Sequence, residues 1–181
     1  MKWLHFILSH SIFISCCAFA LCWQAFQLLH IPVDLRLCAL VFFATLSSYN
    51  FYWLISKYHF SGKRNPLSFL RNNLSNTFFF VAAACCLLYC LYLLPQLLST
   101  VLISVLLTLL YSVPLWPVKQ LAFTRKAGFL KTGLLAFTWT YVTVMIPAQQ
   151  HVFANRLSVE LLFTARFLFM LMLCIIFDSR D

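Results

Sequence analysis

The sequence predicts an all-α fold: a polytopic bundle of about six transmembrane helices forming one integral membrane domain over residues 1–181. Two observations carry that reading. Apolar residues make up 63% of the chain and charged residues 9%, with a mean hydropathy of +0.90, whereas roughly a quarter of a soluble domain is charged. The apolar residues also fall into runs near the ~20 residues that a helix needs to cross a bilayer. Helix is favoured because backbone groups in lipid have to be hydrogen-bonded within their own segment.

The first run, Trp3 to Trp23, follows Lys2 and resembles a secretory leader with Ala18-Phe19-Ala20 as its cleavage site. Its apolar character continues to Leu29, so a retained span is expected, and Phe13 disfavours a lipoprotein site at Ser15-Cys16. The second run extends from Leu37 to Ile55. The third and fourth, Thr77 to Leu94 and Leu97 to Val113, are separated by Pro95, which has no N–H to continue a helix. The fifth, Thr132 to Ala148, is closed by Pro147, and the sixth runs from Leu157 to Phe177. No repeat, low-complexity tract or Gly/Ser-rich linker marks a second domain.

Charge orients the bundle. With the amino terminus in the cytoplasm, ten of the thirteen basic residues fall inside: Lys2, Lys57, Lys63, Arg64, Arg71, Lys119, Arg125, Lys126, Lys131 and Arg180. Arg36 and Arg156 fall outside, and Arg166 lies within the sixth run. That asymmetry follows the positive-inside rule and accounts for the net charge of +9 without a nucleic-acid partner. A multi-pass protein of the cell inner membrane, with the bilayer as its first partner, is expected. All eight cysteines lie inside apolar runs with no CxxC pair and no histidine at zinc-ligand spacing. They are read as small packing residues.

Three polar places lie on the cytoplasmic side. Asn50 sits among Ser47, Ser48, Tyr49, Tyr52 and Trp53 at the inner end of the second run. A polar residue within a span faces the bundle or a cavity, so Asn50 serves either a ligand or a hydrogen bond between helices. Between Tyr111 and Lys131, Pro114 and Pro117 interrupt a helix just before Lys119, with Arg125 and Lys126 following. Such a cationic patch suits phosphate or anionic lipid heads, or simple anchoring at the membrane surface. Last, Asp178 and Asp181, two of only four acids, stand three apart and would share a helix face. Magnesium is commonly held by one or two carboxylates together with substrate phosphates; the plainer reading is a solvated helix end.

From about Leu37 to Asp181 the chain resembles the UbiA-type superfamily of intramembrane prenyltransferases. The carriers are Asn50, the stretch from Tyr111-Ser112-x-Pro114 to Lys119, Gly128-Phe129-Leu130-Lys131 with Trp139 and Pro147, and Phe177-Asp178-x-Arg180-Asp181. The resemblance implies two-thirds of a nine-helix bundle around a lipid-open cavity. It further implies a prenyl diphosphate held by Asn50, Lys119, Arg125 and Lys126, magnesium on Asp178 and Asp181, and a lipophilic acceptor for the prenyl group. The sequence departs from the family at its first acidic motif: with Asn50 aligned, the three aspartate positions hold Phe51, Leu54 and Tyr58. Six runs ending within the second motif are expected of a piece of a longer protein. Two further classes stay open, a non-catalytic isoprenoid-lipid-binding or membrane-interaction protein and a small transporter or assembly factor.

Overall fold

The computed structural model describes residues 10–61, 66–112, 128–149 and 156–178, and among them every regular element is helical. The elements are α1 (Ile12–Leu28), α2 (Leu35–Ser61), α3 (Pro66–Asn72), α4 (Leu74–Leu93), a 3-10 turn (Pro95–Leu97), α5 (Leu98–Ser112), α6 (Gly128–Thr140), a π-helical turn (Tyr141–Met145), α7 (Ile146–Gln149) and α8 (Arg156–Asp178). Three helical stretches, Leu35–Tyr58, Leu74–Leu93 and Arg156–Phe177, are long and apolar enough to cross a membrane; Ile12–Leu28 and Pro95–Leu110 are shorter apolar helices.

α1 and α2 pack antiparallel, with Asn50 bonded to His10, and so do α2 and α4, with Lys57 bonded to Asn73 at the start of α4. α2 lies between α1 and α4; α1 also touches the π-helical turn and α7; α6 packs against α5 and α8. This gives the bundle two ends. One carries Lys57, Arg71 and the last residue of α8, and is called the basic end; Asp34 marks the other. Hydrogen bonds at each end agree with the assignment. His10 Nε2 and Ser75 Oγ are bonded at 2.5 Å, and Lys57 Nζ donates to Asn73 Oδ1 at 2.9 Å, at the basic end. Thr100 Oγ1 donates to Gln149 Oε1 at the Asp34 end.

The packed core is concentrated toward the Asp34 end. Ala18, Cys22 and Phe26 of α1 meet Leu37, Cys38, Leu40 and Val41 of α2, with Cys90, Leu94, Leu97, Val101 and Ile146 completing the cluster. Lipid tails are as apolar as leucine, so what holds helices together there is close van der Waals contact, which small side chains permit. Ala18, Cys22, Ala25 and Cys38 are fully buried, and Cys22 of α1 and Cys38 of α2 belong to the same core cluster. All eight cysteines are free thiols.

The ends of the helices follow from local chemistry. α1 runs to Leu28, beyond the Trp23 expected from hydropathy, because nothing before His30 stops it. There the chain turns left-handed at His30 (φ 53°), with His30 N–H donating to Gln27 O at 3.2 Å and Ile31 N–H to Phe26 O at 3.0 Å. Those two bonds satisfy carbonyls that a helix end otherwise leaves open. α2 extends six residues past Ile55, into an interfacial turn where Lys57 Nζ lies 4.2 Å from the centre of the Trp53 ring, a cation–π contact.

Asp34 starts α2. Its Oδ1 accepts from the Arg36 backbone N–H at 2.9 Å and from Arg36 Nε at 3.1 Å, and Oδ2 accepts from Arg36 Nη2 at 2.9 Å. The carboxylate therefore caps the helix while paired with a cation, and the hydrogen bonds from the Arg36 side chain hold it below the usual carboxylate range. A carboxyl whose folded value is depressed stabilises the fold above its unfolded value, about 3.9, and the gain is lost as pH falls through the folded value. Asp34→Ala should cost about 1 kcal/mol at neutral pH. It should also flatten the acid limb of the stability curve below about pH 4, as measured by thermal unfolding in detergent across pH.

Pro147 sits inside the helical run that Gln149 ends. A proline in a helix removes one N–H and drives its ring toward the carbonyl four residues earlier, here that of Thr143. The widened Tyr141–Met145 turn precedes it and takes up the misfit, as π-turns do within α-helices. Thr138, Thr140 and Thr143 Oγ1 return their protons to the carbonyls of Leu134, Ala136 and Trp139.

Candidate functional site

Because the core is packed toward one end, a groove is left between α2, α5 and α6, with about 680 Å³ of empty space including its open mouth. Leu87, Val101, Val105, Leu135, Val142 and Ile146 give it an apolar lining; Thr45, Ser48, Tyr49, Ser104, Thr108 and Thr138 add hydroxyls. In hydrocarbon a hydroxyl needs a partner, and most of these find one four residues back: Thr45 Oγ1 donates to Val41 O, Ser104 Oγ to Thr100 O, Thr108 Oγ1 to Ser104 O. Thr45, Ser104, Thr108 and Thr138 thus commit their protons to their own helices, leaving the groove largely apolar in character.

Tyr49 and Trp139 join the two walls. Trp139 Nε1 donates to Tyr49 Oη at 3.2 Å, and the rings meet edge to face with centroids 6.3 Å apart. Acting as acceptor in that bond, the Tyr49 hydroxyl keeps its own proton to donate. Tyr49 and Trp139 are the polar-tipped aromatics of the groove, with one side facing its empty space.

Asn50, the neighbour of Tyr49, points elsewhere. It is fully buried, and its Nδ2 donates to His10 O at 3.1 Å and to Leu46 O at 2.8 Å. The amide therefore ties α2 to the start of α1, and its Oδ1 is buried with no hydrogen-bond partner among the described residues. Of the two roles open to Asn50 from sequence, the geometry favours the bond between segments. The positions following it agree. Phe51, Leu54 and Tyr58 line a separate apolar recess with Phe69 and Phe80; Phe51 stacks on Phe80 at 5.5 Å and Tyr58 meets Phe69 at 5.4 Å. Where the resemblance would place acidic magnesium ligands, this chain packs rings.

Lys119, Arg125, Lys126 and Asp181 lie outside the described residues. Asp178 is the last residue of α8. Among the described residues no three His, Cys, Asp or Glu side chains come together as a metal site, so magnesium remains an expectation of the resemblance.

One feature was missed from sequence. The groove hydroxyls carry a signal, since Thr45–Ser48–Tyr49 and Ser104–Thr108 recur at helical spacing and so share a face. Arg166, which six-residue spacing separates from Glu160 and leaves to pair with another helix, does so: Nη1 donates to Leu21 O at 3.1 Å and Nη2 to Gln24 Oε1 at 3.0 Å, joining α8 to α1. No family model, curated protein or solved structure matches the chain.

Proposed function

We propose that the chain is a membrane-embedded binder of an isoprenoid-type amphiphile, whose apolar tail enters the groove between α2, α5 and α6 and whose anionic head is met by Lys119, Arg125 and Lys126. One observation carries the reading. α5 and α6, two walls of the groove, both terminate at the basic end, and the segment connecting them is the one that bears these three cations. Six crossings with a cytoplasmic amino terminus fit the same picture. At the Asp34 end the described cations are neutralised, Arg36 by Asp34 and Arg156 by Glu160, while at the basic end Lys57 is held by an amide and an aromatic ring. A net positive face suits the anionic cytoplasmic leaflet.

The second reading is prenyl transfer of the UbiA-like kind, from a prenyl diphosphate to a lipophilic acceptor. Its support is that α8 ends with Asp178 at the basic end, so that Asp178 and Asp181 would hold magnesium near the diphosphate. The metal, acting as a Lewis acid, would favour departure of diphosphate from the allylic carbon. The ring-packed recess at Phe51, Leu54 and Tyr58 weighs for the binder, since all three acids of the first motif are absent.

The experiment compares a prenyl diphosphate with the corresponding prenyl alcohol on the purified protein in nanodiscs, with and without magnesium. Lys119→Ala should weaken the diphosphate at least tenfold, a loss of about 1.4 kcal/mol, and leave the alcohol within twofold. Equal losses for both would remove the head-group role. Diphosphate binding that gains from magnesium and loses that gain in Asp178→Ala would turn the assignment to the transferase; binding indifferent to magnesium leaves the binder.

A further inference from the structure

Arg166 lies ten residues into α8, about 15 Å from its start at the helical rise of ~1.5 Å per residue, and so near the middle of a hydrocarbon core ~30 Å thick. It is 5% exposed. An arginine side chain keeps its charge and offers five N–H donors; two are taken by Leu21 O and Gln24 Oε1, both neutral. Intramembrane cations pair with an acid, with backbone carbonyls or with a water-filled cavity, because an uncompensated charge there is expensive.

Among the described residues no acid pairs with Arg166. The chain's four acids are Asp34, Glu160, Asp178 and Asp181. Asp34 is bound twice over by Arg36 at the opposite end of the bundle from Asp178. Glu160 is bonded to Arg156 at 3.0 Å and stands six residues from Arg166, on a different face of the same helix. Asp178 is twelve residues further on, ~18 Å along the axis, and Asp181 lies outside the described residues. A second copy of the chain would bring the same described acids at the same depths, none of them mid-membrane.

A second observation stands beside the first. On α1, Gln24 and Gln27 are exposed, next to the exposed apolar Trp23 and Leu28. Polar side chains in a span ordinarily face protein or water, so two glutamines one turn apart on an outward face, one of them bonded to Arg166, mark a face meant to be covered.

We infer that the α1–α8 face around Arg166, Gln24 and Gln27 is the docking site of an acid-bearing transmembrane helix from outside these residues, whose carboxylate meets the Arg166 guanidinium near the membrane midplane. Depth decides for a helix over a lipid: a headgroup phosphate rides at the surface, about half the core thickness away from Arg166. Spare N–H groups of the guanidinium donate to the carboxylate in the charge-assisted geometry that arginine favours, and the glutamine amides bond to the backbone or polar side chains of the arriving helix.

The test places the full chain in nanodiscs with a probe, a leucine-rich helix of about 20 residues carrying one Glu at its centre, and reads association by energy transfer. The same helix with Gln or Leu at that position serves as comparator. The Glu helix should bind at least tenfold tighter than the Leu helix, and the preference should fall below twofold in Arg166→Gln. Gln27→Trp, which leaves the Arg166 hydrogen bonds in place, should weaken the Glu helix at least fivefold by obstructing the face; its thermal unfolding, unchanged from the parent, shows that the bundle is intact. Equal binding of Glu and Leu helices, or a preference that survives Arg166→Gln, overturns the proposal. So does displacement of the Glu helix by anionic phosphatidylglycerol in the disc, which would assign the face to a lipid, or Arg166-dependent association between copies of the chain itself.

Discussion

Gln24→Leu should destabilise the bundle by about 2 kcal/mol, the scale of a hydrogen bond to a charged group and larger than the ~0.6 kcal/mol usual for a bond between membrane helices. The reason is asymmetry. The substitution leaves the Arg166 guanidinium in place with Leu21 O as its acceptor, so it removes compensation and keeps the charge. Removing both partners should be milder: Gln24→Leu with Arg166→Met exchanges a polar contact for an apolar one of similar volume, which is often neutral where a buried charge is lost along with its partner. A double-mutant cycle of unfolding free energies in detergent should therefore show coupling of at least about 1 kcal/mol between the two sites. Additive losses would mean that the bond between α8 and α1 carries no stability of its own.

The largest functional effect is expected at the groove. Ser104 lies on α5 with its hydroxyl returned to Thr100 O at 2.9 Å, and its side chain borders the tail space. Ser104→Phe puts a ring into that space without stranding a polar group, since the Thr100 carbonyl already takes part in the helix. Tail binding should fall by more than tenfold for the prenyl diphosphate and for the prenyl alcohol alike, with the unfolding temperature nearly unchanged. This pattern is the complement of Lys119→Ala, which should separate the two ligands. A Ser104→Phe protein that binds both as well as the parent would show that the tail lies elsewhere.

The helices were legible because their signal is cumulative. A run of twenty apolar residues is hard to misread, and Pro95 broke the chain where it was expected to, between the third and fourth runs, as the first residue of the 3-10 turn that separates α4 from α5. Boundaries were less so: α2 continues to Ser61 because Lys57 lies over Trp53 and bonds to Asn73, contacts that hydropathy does not contain. Asn50 was singled out correctly as a residue facing protein, but its partner is a backbone carbonyl forty residues away, and no local pattern announces such a pairing. The groove was illegible for a related reason. It exists because the core closes at one end and leaves α2, α5 and α6 apart at the other, a property of packing among helices that no single helix reveals.

The π-helical turn at Tyr141–Met145 interrupts one wall of the groove between two attachments. Beyond the turn, Gln149 is fastened to Thr100 of α5; before it, α6 carries Trp139 and its bond to Tyr49 of α2. That wall is therefore tied to a different neighbour on each side of its widened turn, and the misfit imposed by Pro147 is absorbed between the two ties rather than passed on to either.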